Sequence, residues 1–277
     1  MKRRDFLAAT GVAAVGAGLA PLSEAFGSSQ PMLKRIGFQL YTARGLMAED
    51  SAKTLEALAG IGYHEVEFAG YHGHDPRDVR RMLDTSGLAA PAAHVPLDGM
   101  RSSPESLIEA ASVVGHDFLV LAWLEPAERQ TLDQYREHAE LCNRFGEMCR
   151  AAGIQFAYHN HEFEFEPLDG TLPMDLLLSE VDRDLMKIEL DLYWIRVAGH
   201  DAATFMAADR ERTVLCHVKD MQSDGSMTDP GSGVIDFPAT FAGSGLTHFF
   251  VERDDSPDPM ATAAAGFRYL QGLEFNG

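Results

Sequence analysis

The amino-acid sequence predicts a closed parallel (β/α)8 TIM barrel, an α/β fold with its active site on one rim. Three observations carry that expectation. Eight short apolar runs of strand character alternate with stretches of helical apolar spacing in one repeating order. Several of these runs end in side chains capable of chemistry: IQFAYHNHEFE (Ile154 to Glu164), KIELD (to Asp191), VLCHVKD (with His217, Lys219 and Asp220) and HFFVERD (with Glu252). No GxGxxG or GxxxxGK turn stands between a strand and a helix, which disfavours an open doubly wound sheet and, with it, the usual nicotinamide and ATP chemistry.

The first strand spans Ile36 to Thr42, after a polar linker around Gly27 to Pro31. A helix over Ala48 to Ala59 follows, bracketed at its end by Gly60 and Gly62, and Tyr63 to Ala69 alternates into a second strand carrying Glu67. Pro76 starts a helix that Gly87 ends. Leu88 to Val95 is the third strand, finishing near His94, and Pro104 starts a helix to about Val114. His116 to Trp123 is a fully buried fourth strand, and the helix from Pro126 to Ala152, closed by Gly153, leads into IQFAYHN. A helix around Met174 to Glu180 precedes the strand Met186 to Asp191. Asp201 is placed to cap Ala202 to Ala208, ahead of Thr213 to Val218. Asp220 to Gly233 has the polar, Gly- and Asp-rich composition of a long active-site loop or lid. A short helix after Ile235, the strand Thr247 to Glu252 and a helix over Met260 to Tyr269 complete the pattern.

With 277 residues the chain can bury one large core. Its 42 acidic against 23 basic residues give a formal charge of -19, which argues against nucleic acid or an anionic membrane surface as partner but suits a divalent cation. The start MKRRDF, followed by an uncharged Ala- and Gly-rich run from Leu7 to Leu22, has the form of an export signal with cleavage after Ala20 or Ala25; an uncleaved anchor or a disordered tail is the alternative. Arg3 and Arg4 resemble a twin-arginine signal, which implies a periplasmic or otherwise exported protein. Residues 1–30 are thus an export signal and linker, and residues 31–277 a single catalytic domain. Cys142, Cys149 and Cys216 suit buried thiols rather than a disulfide framework.

Four rim positions on the last four strands, Glu162, Asp191, His217 and Glu252, make a hard N/O set for one divalent metal ion, Mn, Mg, Co or Zn, with positions open for substrate and water. The strand-five ligand is open among His159, Glu162 and Glu164, and those left over, with Glu252, are candidates for acid-base work. Lys219 can stabilise an oxyanion, or pair with Asp191 or Asp220. His161 and His94 are candidates for proton transfer or for sugar hydroxyls. Glu67 reaches toward the pocket or forms a salt bridge; Trp123, Trp194 and Phe38 offer aromatic faces for a sugar, or belong to the core.

The motifs YHNHEFEF (Tyr158 to Phe165), ELDLYW (Glu189 to Trp194), HVKDM (His217 to Met221), GSGVIDF (Gly231 to Phe237) and VERD (Val251 to Asp254) resemble those of the sugar phosphate isomerase/epimerase family with the xylose isomerase-like barrel. The resemblance covers about Ile36 to the C-terminus. It implies a divalent metal held by Asp191, His217, Glu252 and a strand-five residue, with proton transfer beside a sugar carbonyl through a metal-stabilised enediolate. Many epimerases of this group have Glu at the end of strand five, where this sequence has His159. The HNH motif with a twin-arginine signal looks closer to exported proteins acting on oxidised glycosides or inositol-like polyols. No basic cluster on the late strands favours a phosphate, so the expected substrate is a neutral sugar or keto sugar and the expected activity isomerase or epimerase. The alternatives are a lyase or hydratase on 3-keto-glycosides or inosose-like substrates, and a non-catalytic periplasmic sugar-binding protein. A homo-oligomer through the outer helices is compatible with all three.

Overall fold

Eight parallel strands close into a barrel in the computed structural model, which describes residue 33 and residues 35–273. They are β1 (Gly37–Gln39), β2 (Glu65–Phe68), β3 (Ala89–Val95), β4 (Phe118–Leu121), β5 (Gln155–His159), β6 (Met186–Asp191), β7 (Thr213–Val218) and β8 (His248–Val251). Each pairs with its neighbours in sequence, and β8 closes onto β1 with Gly37 beside Phe250. The expected export signal falls on residues outside those described. No helix among the described residues is long and apolar enough to cross a membrane.

The helices depart from the expected spans where local hydrogen bonding overrides apolar spacing. The first runs Arg44–Ile61 and restarts at a kink, where Asp50 accepts from Lys53 N at 3.0 Å. The long fourth-unit helix begins only at Leu132, because Thr131 and Gln134 form a capping box; Pro126–Glu128 before it is a separate 3₁₀ turn. Two short helices were not predicted, Leu97–Ser102 and Leu192–Val197. The loop after β7 is folded rather than open. Asp220 accepts from the backbone N–H groups of Met221, Gly231, Gly233 and Ile235 at 2.8 to 3.2 Å, and inside that turn Asp220–Met221 pairs with Met227–Thr228. All three cysteines are buried and free.

Strand alternation sorts side chains between two layers. Phe38, Val66, Leu119, Phe156, Leu190 and Cys216 face the helices in the main core. The barrel interior holds a smaller plug of Ala92, Val120, Ala157, Leu215 and Phe250. Ala92 and Ala157 leave room inside the barrel for the Phe250 ring, and Gly37 on the adjacent β1 does so most directly: a Cβ there would stand 2.4 Å from the ring. We expect Gly37→Ala to overpack this plug and to lower stability by about 1–3 kcal/mol in urea denaturation; an unchanged midpoint would show that the ring has space to move.

Candidate metal centre

The C-terminal ends of β5 to β8 converge because each places one polar residue at the same level of the rim. Asn160, just past β5, accepts from Asp191 N at 2.9 Å and so ties the end of β5 to the end of β6. Asp191 caps the helix Leu192–Val197: its Oδ1 accepts from Tyr193 N and Trp194 N, both at 2.9 Å. That fixes the other oxygen inward. Asp191 Oδ2 lies 2.9 Å from Lys219 Nζ, 3.7 Å from His217 Nδ1 and 3.9 Å from His159 Nε2. Glu252 follows β8 directly and brings Oε2 to 2.6 Å from His217 Nδ1 and 2.9 Å from Lys219 Nζ. One donor atom from each of His159, Asp191, His217 and Glu252 falls within 4.8 Å of the others, and all four residues are buried.

This outer group fits a divalent cation. Asp191 Oδ2, Glu252 Oε2 and His217 Nδ1 are buried and, despite their ion-pair distances, take part in no well-directed hydrogen bond. One ammonium, Lys219, stands against both carboxylates, and buried negative charge in excess of its counter-ions is costly unless a further cation meets it. Two carboxylates and two imidazoles balance a double positive charge, and Lys219 has its own counter-ion in Asp254, at 3.0 Å. Burial opposes charge on Glu252, but Lys219 and then His217 outweigh it and hold the carboxyl well below the usual range. Burial, reinforced by His217, keeps the His159 imidazole neutral, the form that ligates.

An inner group lies deeper in the barrel. His217 Nε2 is 2.8 Å from Glu67 Oε2 and 3.2 Å from Glu189 Oε2, and His94 Nε2 is 2.9 Å from Glu189 Oε2. Gln39 Nε2 donates to Glu67 Oε2 at 2.7 Å. Burial and the neighbouring Glu189 push the Glu67 carboxyl up to about 7.

The other candidates are distributed as follows. Glu162 joins neither group: β5 ends at His159, and Glu162 leads into the 3₁₀ turn Phe163–Phe165 with its side chain capping nothing. Glu164 is turned into the protein, accepting from Tyr158 Oη and His161 N, both at 2.7 Å; it shapes the loop and does not face the rim. His161 lies between Trp123 (ring centroids 4.6 Å apart) and Trp194 (5.6 Å), and its Nδ1 and Trp194 Nε1 are buried without partners. Burial, then Lys219, push the His161 imidazole down to about 3, so it is neutral. Phe38 does not reach the rim; alternation on β1 points it at Tyr63 under the helices and gives the interior to Gln39. His94 and Glu67 belong to the inner group rather than to an open pocket. Glu189, Gln39, Asn160 and Asp254 were not singled out from the sequence. Glu189 carried a signal, since it lies two residues before Asp191 on the same strand face.

A family model described as xylose isomerase-like TIM barrel matches residues 55–243. Among solved structures, a sugar phosphate isomerase/epimerase from Parabacteroides distasonis is 26% identical over 91% of this chain and 98% of its own, with a TM-score of 0.72. A second structure of that description from the same organism is 22% identical over 86% and 98%, with a TM-score of 0.76. A 3-keto-D-glucoside 4-epimerase from E. coli, in its apo form, shares the fold at 16% identity over 86% and 99%, with a TM-score of 0.66. No curated protein matches the chain.

Glu164 gives a test of how the loop is held. Burial pushes its carboxyl up to about 7, outweighing the hydrogen bonds from Tyr158 and His161, whereas the ordinary value is 4.5. The folded chain therefore keeps this proton to higher pH than the unfolded chain, and the associated stability is present below about pH 4.5 and lost as pH rises through about 7. We expect the stability of the native chain to fall relative to Glu164→Gln across that window by up to about 3 kcal/mol in urea titrations. Parallel pH profiles for the two proteins would contradict the assignment.

Proposed function

Because the chain belongs to the xylose isomerase-like TIM barrel family, we propose that it is a divalent-metal-dependent isomerase or epimerase of a neutral sugar or keto sugar, moving a proton on the carbon beside a carbonyl. The observation that carries this is the outer group on the barrel rim, where His159, Asp191, His217 and Glu252 bring their donor atoms together beside the Lys219 ammonium. These four residues would hold the cation. Bound there, a divalent ion supplies Lewis acidity to a substrate oxygen and so acidifies the neighbouring C–H.

The chain's own groups do the rest. The Lys219 ammonium, held by Asp191, Glu252 and Asp254, stands as a fixed positive charge beside the oxygen that gains negative charge. Glu252 is the carboxylate assigned to take up and return the proton. His161, neutral and with a free buried nitrogen, orients a hydroxyl, and Trp123 and Trp194 on either side of it present faces for the sugar ring. A neutral substrate is supported by the late-strand cations being already engaged: Lys219 with three carboxylates, Arg253 with Asp229 and Asp255. The 3-keto-glucoside of the E. coli relative is one member of the substrate class that fits.

Asp191→Asn separates ligand from cap, because an asparagine oxygen still caps the helix Leu192–Val197. We expect this variant to stay within about 1 kcal/mol of native stability, to lose its cation in elemental analysis, and to lose turnover by at least about 100-fold. With a keto sugar in D2O, the native protein exchanges deuterium onto one carbon and leaves the skeleton intact by NMR. An unsaturated product would move the assignment to a lyase, and a protein that takes up no divalent ion even in excess would remove the mechanism.

We also propose that the chain is exported by the twin-arginine route, on the strength of Arg3, Arg4 and the apolar run behind them. Lysine at both arginine positions is expected to retain the protein in the cytoplasm; secretion at the native level would refute that route.

A further inference from the structure

His217 is shared by both polar groups inside the barrel. Its Nδ1 faces the outer group, 2.6 Å from Glu252 Oε2 and 3.7 Å from Asp191 Oδ2. Its Nε2 faces the inner group, 2.8 Å from Glu67 Oε2 and 3.2 Å from Glu189 Oε2. A neutral imidazole carries its proton on one nitrogen and a lone pair on the other, so only one of these groups can use His217 as a ligand.

Gln39 decides which. Its Oε1 accepts from Tyr41 N at 2.9 Å, which turns the amide nitrogen toward Glu67 Oε2, 2.7 Å away. The same amide nitrogen is 3.4 Å from His94 Nε2. An amide N–H donated to Glu67 Oε2 competes with a cation for that oxygen and turns the positive end of its dipole toward the group. The inner group is therefore a hydrogen-bonded network and not a second cation cage, although its donor atoms stand close enough to form one. Since β2 and β7 are not neighbours in the barrel, the contact from Glu67 to His217 crosses the interior. It can restrain the ring from the side opposite the rim.

We propose that Glu67, braced by Gln39, holds the Nε2 proton of His217 and so commits Nδ1 to a single cation at the outer group. Glu67 is a positioning residue here, neither ligand nor substrate contact. This rests on the metal-dependent function proposed above. A carboxylate behind a ligating imidazole fixes its tautomer and raises its basicity, and losing such a partner typically weakens metal binding about 10–100-fold.

The test is Co2+ titration of the full chain, followed by calorimetry and visible absorption, on the native protein, Glu67→Gln and Glu67→Met, with circular dichroism as the control for folding. The native protein is expected to bind one equivalent. Glu67→Gln, which keeps a neutral acceptor, binds more weakly, and Glu67→Met weaker still, by about 10–100-fold, with a shifted Co2+ band in both variants and unchanged circular dichroism. Native affinity and an unshifted band in folded Glu67→Met overturn the inference while leaving the metal site standing. So does a second Co2+ equivalent on the native chain that Glu67→Met loses. Should Glu67→Met not fold, the isosteric Glu67→Gln decides alone, and native affinity there overturns the inference. A native chain that binds no Co2+ overturns both this inference and the function on which it rests.

Discussion

A closed barrel leaves no bulk water inside to solvate charge, so each buried carboxylate has to meet a donor or a cation within the protein. That constraint organises everything around His217. Asp191 and Glu252 meet Lys219 on one side of the ring; Glu67 and Glu189 meet Gln39 and His94 on the other; the imidazole lies between the two sets. Interior room for these polar side chains exists because the apolar plug is confined to a few residues, with alanines on β3 and β5 and a glycine on β1 around the fully buried ring of Phe250. The apolar and polar interiors are thus parts of one packing solution, and the rim chemistry depends on both.

The same economy extends outward along the backbone. Asp191 divides its two oxygens between a helix cap and the outer group, and Asn160 holds the start of that cap against the end of the neighbouring strand. Glu164 does for the β5 loop what Asp191 does for the β6 loop: a carboxylate accepts a backbone N–H and fixes where the next side chain points, here His161. Precision at the site comes from carboxylates that never face a substrate as well as from those that do.

Barrel topology was legible because it is written in repetition: strands of buried aliphatics, helices with their own caps, and polar residues at strand ends. The rim placement of Asp191, His217 and Glu252 was legible for the same reason, since each stands within one residue of the end of a largely apolar strand. The strand-five residue was not, because four successive ligand-capable positions from His159 to Glu162 follow Tyr158, and only the point at which the strand stops selects His159. Phe38 was expected at the rim, where Gln39 stands instead. Which of two adjacent residues on a three-residue strand looks inward is set by register with β2 and β8, information that a single run of sequence does not carry. The inner group escaped notice because its members come from β1, β2, β3, β6 and β7, and each taken alone is an ordinary polar residue in a strand.

The carboxylate of Asp220 gathers four backbone N–H groups at the base of the loop after β7, and it stands immediately after Lys219. Such a knot decouples the loop's tip from its root. The exposed tip from Ser223 to Ser226 can be exchanged while the anchor, and the lysine beside it, stay where they are; Asp229, which accepts from Arg253 at 3.0 Å and from Thr262 at 2.7 Å, belongs to the fixed part. For an evolving lineage this divides the chain into a part under strict geometric selection and a part free to drift, so that a new sugar can be admitted at the mouth of the barrel without the chemistry having to be reinvented beneath it.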